Sequence, residues 1–412
     1  MPCQLGSEIK QDFPILSTVL PNGKKLVYLD NAATTQKPIF VIDSITNFYR
    51  SQNANVARSA HYLGEQTTIA YNEARKTVAK FINASYDEVI FTSGTTESIN
   101  TIAYGWGDNN VNENDEIVVM TSEHHSDFVP WQQLAFRKNA KFKVVPLRED
   151  GTLDIDTVRK YITSRTKVVA CARMTNSFGV INPVEKIGKI AHENGAVFVV
   201  DGAQSVPSMP TDVKELDADF LSFSGHKMLA PMGIGVLYVK KSMIDSLKPF
   251  LTGGGMIDEV KNEYTTFAAC APDRYEAGTP NVEGAIGLAR AIEYLEEIGM
   301  ENVLEHERKL LEYAYLKLKH VDRVILYGPK RLNDRGGILS FNVKGIHPHD
   351  VASILDANGV AIRSGHHCAQ PILRSLNVEF MATARASFYI YNDNSDIDAL
   401  ADAIEDAKRR FS

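Results

Sequence analysis

Cysteine is scarce in this chain: four thiols in 412 residues, at Cys3, Cys171, Cys270 and Cys368, with no C-x-x-C pair among them. Such spacing argues against a structural zinc site and against a disulfide-stapled secreted scaffold. No apolar run approaches the roughly 20 residues that a membrane helix needs, and the sequence has no internal repeat or low-complexity segment. Its opening, Met1 to Gly6, shows neither the basic start nor the apolar core of a signal peptide. A formal net charge of -7, with dispersed basic residues, predicts no standing affinity for nucleic acid. Lys408-Arg409-Arg410 reads as a favourable helix end. These absences leave an ordered, cytoplasmic, soluble protein, and an enzyme is the expectation.

What is present is alternation. Strand-like runs fall at 88–92, 116–120, 142–147, 167–174, 196–201, 220–224 and 235–239. Several are almost continuously apolar, as strands covered on both faces should be. Helical patterns at 97–106, 130–139, 156–163 and 183–194 lie between them. This predicts an α/β fold: a large domain with a mostly parallel seven-stranded sheet flanked by helices. After about residue 280 two long amphipathic helices, 283–298 and 302–319, precede strands at 337–343, 360–363 and 384–389 and helices at 348–358 and 395–410. That texture predicts a smaller α+β C-terminal domain. The expected division is 1–27 as a segment packing on the small domain, 28–280 as the large domain and 281–412 as the small one. The stretch 253–277 reads as a loop or hairpin.

Polar residues gather where the strands end. Gly94-Thr95-Thr96, His124, Asp201-Gly202-Ala203-Gln204 and Ser224-Gly225-His226-Lys227 each lie at or just past the carboxyl end of a predicted strand, the edge where open α/β sheets bind ligands. Lys227 stands where an amine can condense with an aldehyde cofactor; a lone lysine there would more often be a solvated strand end. Asp201 closes a buried strand and needs a charged or hydrogen-bonded partner. A protonated pyridine nitrogen is one, while a metal or a helix cap is the plainer alternative. Gly94-Thr95-Thr96-Glu97 opens a helix and suits a phosphate, or serves as an ordinary capping box. His124 is placed to stack on a pyridine ring. Its neighbour His125 raises zinc, but no third ligand follows at a convincing spacing. Gln204 and Asn176 are within reach of a ring's phenolic oxygen, and Asn176 also of a substrate carboxylate.

The second half adds two features. Cys368 lies in Arg363-Ser364-Gly365-His366-His367-Cys368-Ala369-Gln370-Pro371, where two histidines and an arginine would favour a thiolate. Zinc is again the rival, and a buried structural cysteine the commoner default. Cys3, Cys171 and Cys270 read as a terminal, a strand and a loop residue. Arg385, inside an apolar strand, wants a carboxylate, from a substrate or from a structural ion pair.

Taken together these segments resemble a known family. Tyr28-Leu29-Asp30-Asn31-Ala32-Ala33, Gly94-Thr95-Thr96-Glu97, Glu123-His124-His125, Asp201-Gly202-Ala203-Gln204, Ser224-Gly225-His226-Lys227, Tyr275-Glu276-Ala277-Gly278-Thr279-Pro280 and the Arg363 to Pro371 motif are similar to those of the SufS-type (group II) cysteine desulfurases. That group belongs to aminotransferase class V, among the fold-type I enzymes that use pyridoxal 5'-phosphate (PLP). The resemblance implies that Lys227 holds PLP and moves the substrate's α-proton. It further implies that Asp201 and Gln204 bind the ring nitrogen and phenolic oxygen and that His124 stacks on the ring. Thr95, Ser224 and His226 would hold the phosphate, with Thr279 from the other subunit of a homodimer. Arg385, Asn176 and Arg363 would bind substrate carboxylate. Cys368 would take sulfur from L-cysteine as a persulfide, leaving L-alanine.

The resemblance also implies iron–sulfur cluster assembly and a sulfur-acceptor protein of SufU or SufE type, with no membrane and no nucleic acid. His347 and His349 are candidates for contact with that acceptor, or a solvated turn. Two departures stand out. Seventeen positions separate Cys368 from Arg385, with Phe380-Met381 as the apparent insertion, and 253–277 lacks tryptophan. The rival readings are a selenocysteine lyase, a class V aminotransferase and a catalytically silent scaffold.

Overall fold

The computed structural model describes residues 5–57 and 59–411, so Cys3 lies outside the described residues. Seven strands form the main sheet: β1 (Val89–Thr92), β2 (Glu116–Met120), β3 (Lys141–Val145), β4 (Thr166–Ala172), β5 (Val197–Asp201), β6 (Phe220–Ser224) and β7 (Gly235–Val239). Their spatial order is β1-β7-β6-β5-β4-β2-β3. The ladders from β6 through β3 are parallel, and β7 alone runs antiparallel to both neighbours. The carboxyl ends of β1 to β6 therefore share one edge. β1, β2, β6 and β7 are buried at every residue, which is why their sequences lack the alternation of a one-sided strand.

The strands fall within two residues of the expected runs. The largest differences are in β3, which ends at Val145 rather than 147, and β4, which ends at Ala172 rather than 174. Past Ala172 the Arg173 N–H still donates to the Asp201 carbonyl (3.0 Å) while its side chain donates to the Pro210 carbonyl (2.8 Å), and Met174 makes only an isolated bridge with Ile181.

Helices Ile39–Ser51, Tyr62–Phe81 and Val282–Ile298 bring Val41, Phe48, Tyr71 and Val78 against Ala285, Leu288 and Ile292 in the same core that covers one face of the sheet. That core runs past residue 281 to Met300 and Val303 and takes in Tyr389, Ile390 and Tyr391. The apolar stripe of helix Val282–Ile298 is written in its sequence; the surface it covers is not.

A second core, around Leu29, Leu310, Leu339, Phe341 and Ile404, defines the small domain. Its antiparallel sheet comprises β8 (Val324–Leu326), β9 (Ile338–Val343), β10 (Arg363–Gly365) and β11 (Thr383–Ser387) in the order β8-β9-β11-β10. The expected strand 360–363 is divided: Val360–Ala361 pairs in parallel with Val27–Tyr28, and Arg363 begins β10 after the single residue Ile362. The N-terminal segment is held by that ladder, by the Gly6 N–H on the Ile390 carbonyl (2.7 Å) and by Lys10 between Asp393 and Asp396. The stretch 253–277 contains a largely exposed hairpin, Ile257–Val260 with Thr265–Phe267.

Candidate active site

At the shared strand edge, closed over by the small domain, lies a cavity of about 300 Å³. Thr95, His124, Asn176, Asp201, Gln204, Ser224, His226, Lys227, Arg363, Cys368 and Arg385 all line it. Thr279 does not. It is exposed and lines a separate hollow with Gly254, Gly255 and Gly278.

Lys227 ends a tight turn that follows β6. The turn is pinned from behind: the His226 carbonyl accepts from the Thr35 N–H, the Thr34 hydroxyl and the Lys37 ammonium, each at 3.0 Å. Burial lowers the Lys227 amine to about 8, with Asp201 pulling upward and Arg385 downward. Asp201 is buried, and its Oδ1 accepts from the Ala203 N–H at 2.8 Å. Burial raises its carboxyl, while that N–H and Lys227 hold it down. His124 accepts the Ser126 N–H on Nδ1 (3.0 Å), so its neutral ring carries the proton on Nε2. Burial, then Lys227, lowers it to about 3, which keeps it neutral. Gln204 is set by donating to the Ala32 carbonyl at 2.7 Å.

The start of helix Thr95–Thr101 makes an anion cradle. Ser224 Oγ accepts from the Thr95 N–H and lies 2.8 Å from the Thr95 hydroxyl. Two glycines permit this approach: Gly94 has φ 154°, and a Cβ on Gly235 would stand 2.4 Å from the Gly94 Cα. His226, lowered to about 4 by burial and by Lys227, stands alongside as a neutral donor.

On the small-domain side, Arg385 is fully buried. Its Nη1 donates to the Asn176 carbonyl (2.8 Å), Nη2 lies 3.4 Å from Asp30, and Nε has no partner. Asn176 donates its side-chain amide to the His367 carbonyl (2.6 Å), leaving a buried Oδ1 without a partner. Arg363 is paired with both oxygens of Asp30.

Cys368 is exposed at the mouth of the cavity. Its carbonyl accepts the His125 N–H (2.7 Å), and its own N–H donates to His366 Nδ1 (3.3 Å). The expected source of thiolate stabilisation is corrected in part. His367 turns away to Thr383 Oγ1 (2.8 Å), is buried and is held well below its ordinary pKa by that burial, so it brings no positive charge to the thiol. Arg363 shares its charge with Asp30. Among the described residues no three His, Cys, Asp or Glu side chains are grouped to hold a metal ion, so the zinc readings at His124-His125 and His366-His367-Cys368 have no donor set.

Two features escaped sequence reasoning. Asp30, in the Tyr28–Ala33 segment, bridges Arg363 and Arg385. Behind His124, Glu123 and Asp127 are fully buried, Glu123 accepting from the Ala172 N–H and Asp127 from Trp131 Nε1, each at 2.8 Å. Each keeps one oxygen without a partner. Burial pushes both carboxyls up: Asp127 adds to the rise of Glu123, while Asp201 adds to that of Asp127, which reaches about 8 although Glu123 and Trp131 hold it down. The EHHSD string held that signal: two acids four apart, flanking a histidine.

The donor set fits PLP. A buried Asp201 needs a cationic partner, which a pyridinium N–H supplies. The Thr95–Ser224 cradle accepts a phosphate, and Lys227 offers an amine of lowered pKa between them.

This sheet, with a lysine turn and an acid at its edge, defines an α/β enzyme of the PLP-binding kind. The aminotransferase class-V family model matches residues 27–400, and the chain belongs to that family. It is 49% identical over 405 residues to a probable cysteine desulfurase of Halalkalibacterium halodurans, covering 98% of both chains. It is 50% identical over 403 residues to one of Staphylococcus epidermidis, covering 98% of this chain and 96% of that one. Among solved structures it is similar to the cysteine desulfurase of Thermococcus onnurineus (TM-score 0.92, 41% identity, 97% and 98% coverage). It is also similar to the cysteine desulfurase CsdA of Escherichia coli (TM-score 0.89, 37% identity, 98% of both chains).

Proposed function

We propose that this chain is a PLP-dependent cysteine desulfurase that converts L-cysteine to L-alanine and keeps the sulfur as a persulfide on Cys368. The observation that carries it is that Cys368 and Lys227 line one cavity, with the under-used fork of Arg385 beside them. The full-length similarity to proteins named cysteine desulfurases supports it.

PLP, when bound, supplies an electron sink for the bonds at the substrate's α-carbon. The chain does the rest. Lys227 would hold the cofactor and carry the α-proton, Asp201 would keep the ring nitrogen protonated, Gln204 would meet the phenolic oxygen, and neutral His124 would face the ring. Thr95, Ser224 and His226 would take the phosphate, and Arg385 and Asn176 the carboxylate, with Arg363 nearby and paired with Asp30. Cys368 Sγ attacks the substrate sulfur: an S–S bond forms as the C–S bond breaks, and protonation of the carbon completes alanine. No outside oxidant is needed.

On this reading the protein works as a cytoplasmic homodimer that feeds iron–sulfur assembly. The exposed Thr279, remote from its own Lys227, supports its service to a second copy's phosphate site. Exposure of Cys368 supports delivery to a separate acceptor of the SufU or SufE type.

The test is mass spectrometry of the protein after L-cysteine, with alanine measured in parallel. A gain of one sulfur atom on Cys368 is expected. Cys368→Ala should keep the cofactor's absorbance yet lose both signals; undiminished alanine release from that variant would overturn the assignment.

A further inference from the structure

Asp30 occupies a position between the two arginines of the cavity. Its carboxylate meets Arg363 Nε at 3.2 and 3.1 Å and Arg363 Nη2 at 3.1 Å, and it lies 3.4 Å from Arg385 Nη2. The Nε–Nη2 edge of Arg363, the edge that clamps an anion in two-point fashion, is therefore already spent. Arg385 is different: its Nε is buried without a partner and its Nη2 contact with Asp30 is long. Two guanidinium charges less one carboxylate leave a single positive charge, the complement of one incoming carboxylate. Arg363 also lines the cavity that Cys368 lines, and the side chain of a substrate must end in that cavity within reach of Sγ if its sulfur is to be taken.

We infer that Asp30 is a positioning residue that sets substrate selectivity: by holding Arg363, it confines the site to amino acids with one carboxylate and denies a second cationic fork to acidic side chains. A thiol side chain carries no charge to pair with Arg363 and loses nothing. A dicarboxylic amino acid would find Arg363 engaged and the Asp30 charge opposing it. The inference rests on the reading above that Arg385 receives the α-carboxylate.

The test uses the full-length, PLP-loaded protein and absorbance titrations with L-alanine, which has one carboxylate, and L-aspartate, which has two. In Asp30→Asn the ratio of the two dissociation constants should move about tenfold in favour of aspartate, whereas Asp30→Glu, which keeps the charge, should stay within about twofold of the native ratio. If Asp30→Asn does not fold, Asp30→Ser is read the same way. A native ratio in the neutral variant, with normal melting and cofactor content, would overturn the inference, because a merely structural role weakens both ligands alike. Arg385→Gln separates the two readings. If it binds L-alanine as tightly as the native protein does, the carboxylate assignment fails; if it loses alanine while the Asp30 variants leave the ratio unmoved, only the role of Asp30 fails.

Discussion

Asn176 donates its side-chain amide to the main-chain carbonyl of His367 across 2.6 Å, tying the exit of β4 to the loop that carries Cys368. That loop needs a tie. His367 and Cys368 have φ of 52° and 53°, left-handed values that cost residues with side chains about 1–3 kcal/mol each. The Asn176 bond, the His125 N–H on the Cys368 carbonyl and the His367 ring on Thr383 offset that strain. Asn176→Asp puts two acceptors face to face. Single-turnover alanine formation should fall about tenfold or more, as when a buried acceptor loses its donor, while cofactor absorbance persists. Hydrogen exchange over residues 365–370 should quicken in the same variant. Unchanged exchange and turnover would dismiss the tie.

The lowered pKa of Lys227 sets the pH dependence of cofactor uptake. Only the neutral amine condenses with an aldehyde, and burial brings this amine to about 8. For the apo protein mixed with PLP, the rate of absorbance change should rise through about pH 8 and level off above it. Lys227→Ala should give no such signal at any pH. A midpoint near the free-lysine value, above about pH 10, would mean that the site does not desolvate the amine.

The sheet-edge site was legible because each of its parts is local: an apolar run such as 220–224, then Lys227 three residues on. The sulfur chemistry was legible in the same way, from the Arg363 to Pro371 string. What was hidden is long-range pairing. Asp30 and Arg363 are 333 positions apart, and nothing in either segment names the other. Helix Val282–Ile298 announces an apolar stripe but not that helices Ile39–Ser51 and Tyr62–Phe81 cover it. His367 was misjudged electrostatically for a related reason. Its position next to Cys368 is local, but its ring direction is set by Thr383, 16 residues away.

The phosphate cradle depends on the close approach of two backbones. A Cβ at Gly235 would lie 2.4 Å from the Gly94 Cα and 2.8 Å from the Phe223 carbonyl oxygen, both backbone atoms that cannot swing aside. Gly235→Ala should therefore push β7 away from the Thr95 turn. Overpacking of this kind costs about 1–3 kcal/mol, visible as a lower melting temperature. PLP should dissociate faster than from the native protein. Thr95→Ala, which adds no bulk, should speed PLP loss without the fall in melting temperature; equal melting losses in the two variants would contradict the steric account.

Glu307 gives the fold a pH signature of its own. It is buried between the domains, accepts the Gly337 N–H on Oε2 (3.1 Å) and has no partner for Oε1. Burial raises its carboxyl from the ordinary 4.5 to about 8, with Ser208 and the Gly337 N–H opposing. The folded protein then keeps this proton over a range in which the unfolded chain has released it. The folded state binds more protons there, so its stability must fall as pH rises from the unfolded value toward about 8, and level off above. Glu307→Gln, neutral at every pH and of the same shape, removes that slope. The variant should match the native protein near pH 4, where both are neutral in both states, and exceed it by at least about 1 kcal/mol at pH 8. Denaturant melts of the two proteins across that range decide the matter. Parallel stability curves would show that Glu307 is ionised in the fold and paired, with Tyr389 and Ser208 rearranged to receive its charge.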